Sequence, residues 1–244
     1  MSLPENVRIL PTSNDLFHAA AVEFAACGIE AVRDHGRFTV ALSGGSTPRG
    51  MFSLLASGAI PGIPWDKIAF FWGDERHVPP DNPDSNYRMA NETMLSKVPV
   101  RKEDIFRIPA EGGDANAVAK SYEETIQNSF TLKTGEFPRF DLILLGMGPD
   151  GHTASLFPGT GALRETQRIF VANWVEKMNA FRFTLTYPAI NHAAEVAFLI
   201  GGPDKAATLK QVLEDKFAGL PAQTIQPQNG KLLWFVDQAA ASQL

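Results

Sequence analysis

The chain has 244 residues, 22 Lys and Arg against 27 Asp and Glu for a formal charge of −5, and one cysteine. That length can bury a core without disulfides or structural metal, and a lone cysteine excludes an intramolecular disulfide and Cys-rich zinc modules. With no clustered Lys and Arg, the acidic balance argues against nucleic acid as a partner, so an anionic ligand has to be met locally by a few cations and backbone amides.

Met1 to Leu10 carries Pro4, Glu5 and Arg8 and lacks the apolar centre of a secretory signal. No run approaches the roughly 18 apolar residues of a membrane span. The expectation is a cytoplasmic protein with a small-molecule partner and no membrane contact.

Val7 to Leu10 reads as a short strand, followed by a helix capped by Ser13 or Asn14 and running to about His35. Its apolar residues Leu16, Ala20, Phe24, Cys27 and Ala31 recur every three or four positions, and Gly36 suits its end. Cys27 reads as a small buried hydrophobe. Phe38 to Leu42 reads as a buried strand, Pro48 to Ser57 as a helix, and Ile68 to Trp72 as another buried strand. A polar loop, Gly73 to Ser85, leads to a helix from Asn86 to Leu95. Ile105 to Ile108 is a strand candidate, Ala115 to Phe130 a helix, and Asp141 to Leu145 a strand. Four further strands are expected at Ile169 to Asn173, Phe181 to Thr186, Val196 to Ile200 and Leu232 to Val236, with a helix at about Lys205 to Leu213. Continuous apolar strands separated by helices predict an α/β fold, a mainly parallel sheet covered on both faces. With no repeat or linker, residues 1–244 read as one domain, whose ligand belongs beyond the carboxyl ends of the strands.

Three loops fall there. In Ser43-Gly44-Gly45-Ser46-Thr47-Pro48 the glycines permit close backbone approach, the hydroxyls donate, and the following helix start offers free N–H groups. The loop fits neither the Walker A pattern nor Gly-x-Gly-x-x-Gly, so an anion cradle and an ordinary tight turn both remain open. Ala41 to Gly45 also comes near the Gly-x-Ser-x-Gly elbow, with Ser43 as nucleophile, but His192 is the only late histidine to serve it.

The second loop, Trp72-Gly73-Asp74-Glu75-Arg76-His77, reads either as a solvated charge cluster or as a ligand-facing strand end with Asp74 or Arg76 in the site. No His-x-His or His-x-x-x-His pair accompanies it, so no metal is expected. The third, Gly146-Met147-Gly148-Pro149-Asp150-Gly151-His152-Thr153, delivers Asp150 and His152 to a strand end before a helical turn at Thr153 to Phe157. An imidazole oriented by a carboxylate is suited to take a proton near neutral pH. His18 and His35 sit on the first helix, where exposure or a helix-end contact explains them. Arg182 and Lys205 are ordinary surface cations singly, and phosphate ligands if they share the sheet edge with the cradle.

These motifs, with Val78-Pro79-Pro80, Ser85-Asn86-Tyr87 and the continuation Thr153-Ala154-Ser155-Leu156-Phe157-Pro158, resemble the 6-phosphogluconolactonases over nearly the whole chain. The resemblance implies a Rossmann-like three-layer sandwich, similar to the glucosamine-6-phosphate deaminase fold. It implies hydrolysis of 6-phospho-D-glucono-1,5-lactone in the pentose phosphate pathway, without metal or other cofactor. By that resemblance Ser43, Gly44, Gly45, Ser46, Thr47, Arg182 and Lys205 bind phosphate and His152 is the base. Asp150 orients it, Asp74 positions substrate or Arg76, and Arg76 or amides near Thr153 meet the oxyanion. Two alternatives stand beside it, a deaminase and a non-catalytic sugar-phosphate sensor. The deaminases carry Asn-Glu-Pro where this chain has Leu156-Phe157-Pro158, and favour Asp-Glu-Tyr where it has Asp74-Glu75-Arg76.

Overall fold

The computed structural model describes residues 4–244. The reading of the amino terminus falls partly on residues 1–3, outside that range. Six strands form a parallel sheet in the order β1-β9-β8-β5-β2-β3: β1 Val7–Leu10, β2 Phe38–Leu42, β3 Ile68–Trp72, β5 Leu142–Leu145, β8 Glu195–Ile200 and β9 Lys231–Asp237. Every residue of β2, β3, β5 and β8 is buried. Since alternate side chains point to opposite faces, both faces of the sheet centre are covered, as the continuous apolar runs predict.

Among the described residues six helices accompany it: α1 Ser13–His35, α2 Ser46–Ala56, α3 Asn86–Thr93, α4 Ala115–Phe130, α5 Tyr187–Asn191 and α6 Ala206–Glu214. The cap of α1 is Thr12, not Ser13 or Asn14. Its hydroxyl accepts from Asp15 N–H while Asp15 accepts from Thr12 N–H, a reciprocal pair that Ser13 and Asn14, three before Leu16 and Phe17, cannot make. Gly36 closes the helix in the left-handed region at φ 83. His35 at that end pairs with Asp141, before β5, at 2.9 Å, a partner the helix alone does not supply. None of the described helices is long and apolar enough to cross a membrane.

Two expected elements are absent. Ile105 to Ile108 makes a single bridge to β3, with Phe106 N–H on Phe70 O at 2.8 Å; the Phe106 carbonyl turns instead to the Tyr122 hydroxyl on α4. Thr153 to Phe157 is no helical turn but a tight bridge, Thr153 to Leu156, with Ala154 in the left-handed region at φ 46.

The larger departure is a second sheet. β6 Phe170–Val175 and β7 Ala180–Leu185 form a hairpin, and β7 pairs antiparallel with β4 Asp74–Arg76, a strand inside the segment expected to be loop. Gly73 links the two sheets, donating to Leu42 O at 2.9 Å and accepting from Leu185 N–H at 2.8 Å.

At the opposite end of the main sheet, Cys27 is half-buried beside two carboxylates rather than buried among apolar groups. The donor atoms of Cys27, Glu23 and Glu195 lie within 4.8 Å of one another. Burial, then the Glu195 charge, push the Cys27 thiol pKa up, so it stays protonated. Glu195 is 4 % exposed with Oε1 unpartnered among the described residues, and burial, then the Glu23 charge, raise its pKa to about 6. The folded state thus keeps a proton that an unfolded chain releases near pH 4.3, and stability falls as pH rises between about 4.3 and 6. Glu195→Gln is expected to remove that loss, worth about 1–2 kcal/mol, raising the neutral-pH Tm by a few degrees and flattening the pH dependence of thermal unfolding. An unchanged melting profile from pH 4 to 7 would contradict it.

Candidate active site

The chain runs from β2 to β3 on one side and later returns to place β5 on the other side of β2. This is a topological switch, where loops diverge beyond the carboxyl ends and leave a crevice. A cleft of about 410 Å³ opens there. It is lined by the loop after β2, the loop after β5, the segment after β8 and the β4–β7 edge. Of the eleven site residues expected from sequence, ten line it: Ser43, Gly44, Gly45, Ser46, Thr47, Asp74, Arg76, His152, Arg182 and Lys205. Asp150 stands just behind, in contact with His152.

Gly45 precedes α2 at φ 109, and no side chain caps the helix, so its first N–H groups face the cleft without a side-chain acceptor. Pro48 sits in the first turn, where a missing N–H costs nothing. Gly44 is required by contact rather than by φ: a Cβ there would lie 1.8 Å from Asn86 Oδ1. Ser43 Oγ is buried with no hydrogen-bond partner among the described residues. Without an imidazole on that hydroxyl, the nucleophile-elbow reading has no base.

The Asp74–Arg76 segment is not a solvated charge cluster. Glu75 is 2 % exposed and accepts from the N–H groups of Arg76, Asn86 and Tyr87 at 2.8–2.9 Å and from Ser85 Oγ at 3.0 Å. It ties β4 to the start of α3 and so closes the long segment Gly73 to Ser85. Asp74 is also buried; it accepts from Ser155 Oγ at 2.9 Å and from Asn86 Nδ2. Ser155 thereby ties the second loop to the third, and Asn86 ties it to the start of α3 while packing closely on Gly44 of the first.

In the third loop, Gly148 N–H donates to His152 O and Gly151 N–H to Gly148 O, which folds the loop back on itself. A Cβ on Gly148 would meet the His152 ring at 2.1 Å. His152 Nδ1 lies 2.5 Å from Asp150 Oδ1, and its ring stacks on Phe157 with centroids 4.0 Å apart. Nε2 has no protein partner among the described residues. Partial burial works to raise the Asp150 pKa, but hydrogen bonds from Lys177 and His152 outweigh it and bring it down to about 2. Asp150 is therefore a fixed anion at neutral pH, and it selects the tautomer with Nε2 open to take a proton.

Opposite His152, Arg76 and Arg182 face each other in register across β4 and β7. Neither pairs with a carboxylate among the described residues. Burial, then the neighbouring Arg76 charge, lower the Arg182 pKa from its usual value, although a guanidinium stays charged. The Asp74, Asp84 and Glu75 charges act on Arg182 without a direct ion pair, and two adjacent cations with free donors in the same cleft as an uncapped helix start suit an anionic group. Lys205 reaches the same cleft and pairs with Asp204 at 2.8 Å. Its loop is held by Asp237, which accepts from Gly202 N–H at 3.1 Å, Ser13 Oγ at 2.7 Å and Ala240 N–H at 2.8 Å.

Sequence reasoning assigned no role to Asn86, Ser155, Asp237 or Lys177. Asn86 and Ser155 at least stand in motifs that drew attention; Lys177 lies 27 residues from Asp150, and Asp237 lies 35 and 224 residues from Gly202 and Ser13, so neither pairing has a local signal.

The family model of "Glucosamine-6-phosphate isomerases/6-phosphogluconolactonase" matches residues 11–234. The chain is 41% identical over 245 residues to a 6-phosphogluconolactonase of Nostoc sp., covering 99% of each chain. It is 43% identical over 217 residues to one of Synechocystis sp., covering 88% of each. The solved 6-phosphogluconolactonase of Trypanosoma cruzi superposes with a TM-score of 0.87 at 27% identity, over 100% of this chain and 98% of that one. With the family model matching nearly its full length, and with such relatives, the chain belongs to the glucosamine-6-phosphate isomerase/6-phosphogluconolactonase family.

Proposed function

We propose that the chain hydrolyses 6-phospho-D-glucono-1,5-lactone to 6-phospho-D-gluconate, the whole of residues 1–244 acting as one hydrolase domain. The observation that carries this is the pairing in one cleft of an oriented imidazole, His152 on Asp150, with Arg76 and Arg182, neither ion-paired to a carboxylate among the described residues. The names of the relatives support the same substrate.

In this reading the phosphate lies among the α2 start, Arg182 and Lys205, and the lactone carbonyl faces His152. Nε2 takes a proton from water as its oxygen bonds to the carbonyl carbon. The resulting oxyanion is met by Arg76 or by amides beside Thr153. Its collapse breaks the bond to the ring oxygen, which receives the proton back from His152, and the new carboxylic acid ionises in solution. Asp74, locked by Asn86 and Ser155, holds the second and third loops in mutual register.

A deaminase in this family pattern needs a carboxylate beside the Asp-Gly-His histidine. Here Phe157, 3 % exposed, stacks on that ring and carries no proton. The test runs two assays on one preparation: lactone hydrolysis above the spontaneous rate, and ammonia release from glucosamine 6-phosphate. Acceleration of the first with none of the second is expected. Ammonia release without lactone acceleration would overturn the proposal in favour of a deaminase, and neither reaction in favour of a sensor.

A further inference from the structure

Asp150 spends one carboxylate oxygen on the His152 imidazole; its other oxygen accepts from Lys177 Nζ. The same ammonium lies over the Phe157 ring, 4.8 Å from its centroid, and that ring stacks on His152. Lys177 therefore touches both groups that hold the imidazole. It sits in the turn Glu176–Met178 at the tip of the β6–β7 hairpin, closed by Asn179 at φ 47. The second strand of this hairpin carries Arg182 into the cleft.

We infer that Lys177 is a positioning residue for His152, acting through Asp150 and Phe157, and that the hairpin tip thereby completes the site. The inference rests on the lactonase reading of the cleft. A carboxylate held through one oxygen, as the His152 ring and backbone N–H hold Oδ1, still swings about its Cβ–Cγ bond, whereas a donor on the second oxygen fixes its plane and with it the plane of the ring it orients. Lys177 also sets the charge around the imidazole. Asp150 and Lys177 face it from the Nδ1 side, while Asp74, Arg76, Arg182, Asp204 and Lys205 line the cleft it opens on. Losing the cation nearest Asp150 leaves more of that negative charge to stabilise a protonated ring.

The test is Lys177→Met, which keeps the apolar stem over Phe157, beside Lys177→Arg, each in the full chain and assayed on the phosphorylated lactone from pH 5 to 8. Lys177 is half-exposed, so both variants are expected to melt like the parent. Lys177→Met is expected to lose about tenfold in kcat with KM changed less than about twofold. The acidic limb of its kcat/KM profile is expected to move upward by about half a pH unit, with Lys177→Arg recovering most of both effects. Parental kcat and an unmoved limb in Lys177→Met would overturn the inference. So would a loss of kcat with an unmoved limb and no recovery by Arg, the pattern of a merely structural contact. A parent that fails to accelerate lactone opening would instead overturn the proposed function, which keeps the two failures apart.

Discussion

His152→Ala is expected to lower kcat for the phosphorylated lactone by about 10² to 10⁴ while leaving KM within a few-fold of the parent. The reason is geometric. Nδ1 is committed to Asp150, Nε2 has no protein partner, and the ring is fixed face-on to Phe157. No other imidazole reaches the cleft: His77 Nε2 is occupied by the Gly112 carbonyl, His35 pairs with Asp141, and neither His18 nor His192 is among the lining residues. A substituted His152 therefore has no understudy. The cations across the cleft, proposed to hold the phosphate, are untouched, so the loss is expected in turnover rather than affinity. Steady-state kinetics separate the two, and a parental kcat would remove His152 from the base role.

Arg182→Ala is expected to act in the opposite sense, raising KM about 10- to 100-fold with a smaller change in kcat, from the loss of charge-assisted hydrogen bonds worth about 1.5–3 kcal/mol. Its guanidinium is half-buried, makes no ion pair with a carboxylate among the described residues, and faces Arg76 across the strand pair. The Asp74, Asp84 and Glu75 charges act on it against Arg76, but none is ion-paired to it, so its guanidinium donors remain available to an anionic ligand in the cleft. Discrimination between the phosphorylated and unphosphorylated lactones measures this directly. It is expected to shrink in Arg182→Ala, and unchanged discrimination would remove Arg182 from the phosphate site.

The parallel sheet was legible because β2, β3, β5 and β8 are buried on both faces and so are apolar at every position, a pattern that needs no knowledge of partners. The loops after β2 and β5 were legible for a related reason. Close approach of Asn86 to Gly44, and of the His152 ring to Gly148, excludes a Cβ, and those constraints surface as glycines. What escaped was long-range pairing. Phe181 to Thr186 reads correctly as a strand, yet nothing local says that it joins Asp74–Arg76 rather than the main sheet, and only that pairing sets Arg182 against Arg76. Glu75 looked like a surface charge because its partners, the N–H groups of Asn86 and Tyr87, lie 11 and 12 residues on, where a helix start turns back. Cys27 fell on the apolar stripe of α1 but meets Glu195 from β8, so its half-polar setting was invisible in helical periodicity alone.

The measurement that bears most directly on the central claim is the initial rate of 6-phosphogluconate formation from freshly generated lactone, followed against enzyme concentration beside the spontaneous opening. A rate that rises in proportion to the parent protein, and that His152→Ala at equal concentration leaves close to the spontaneous value, is the expected result. A rate indistinguishable from the spontaneous one at every parent concentration would contradict it.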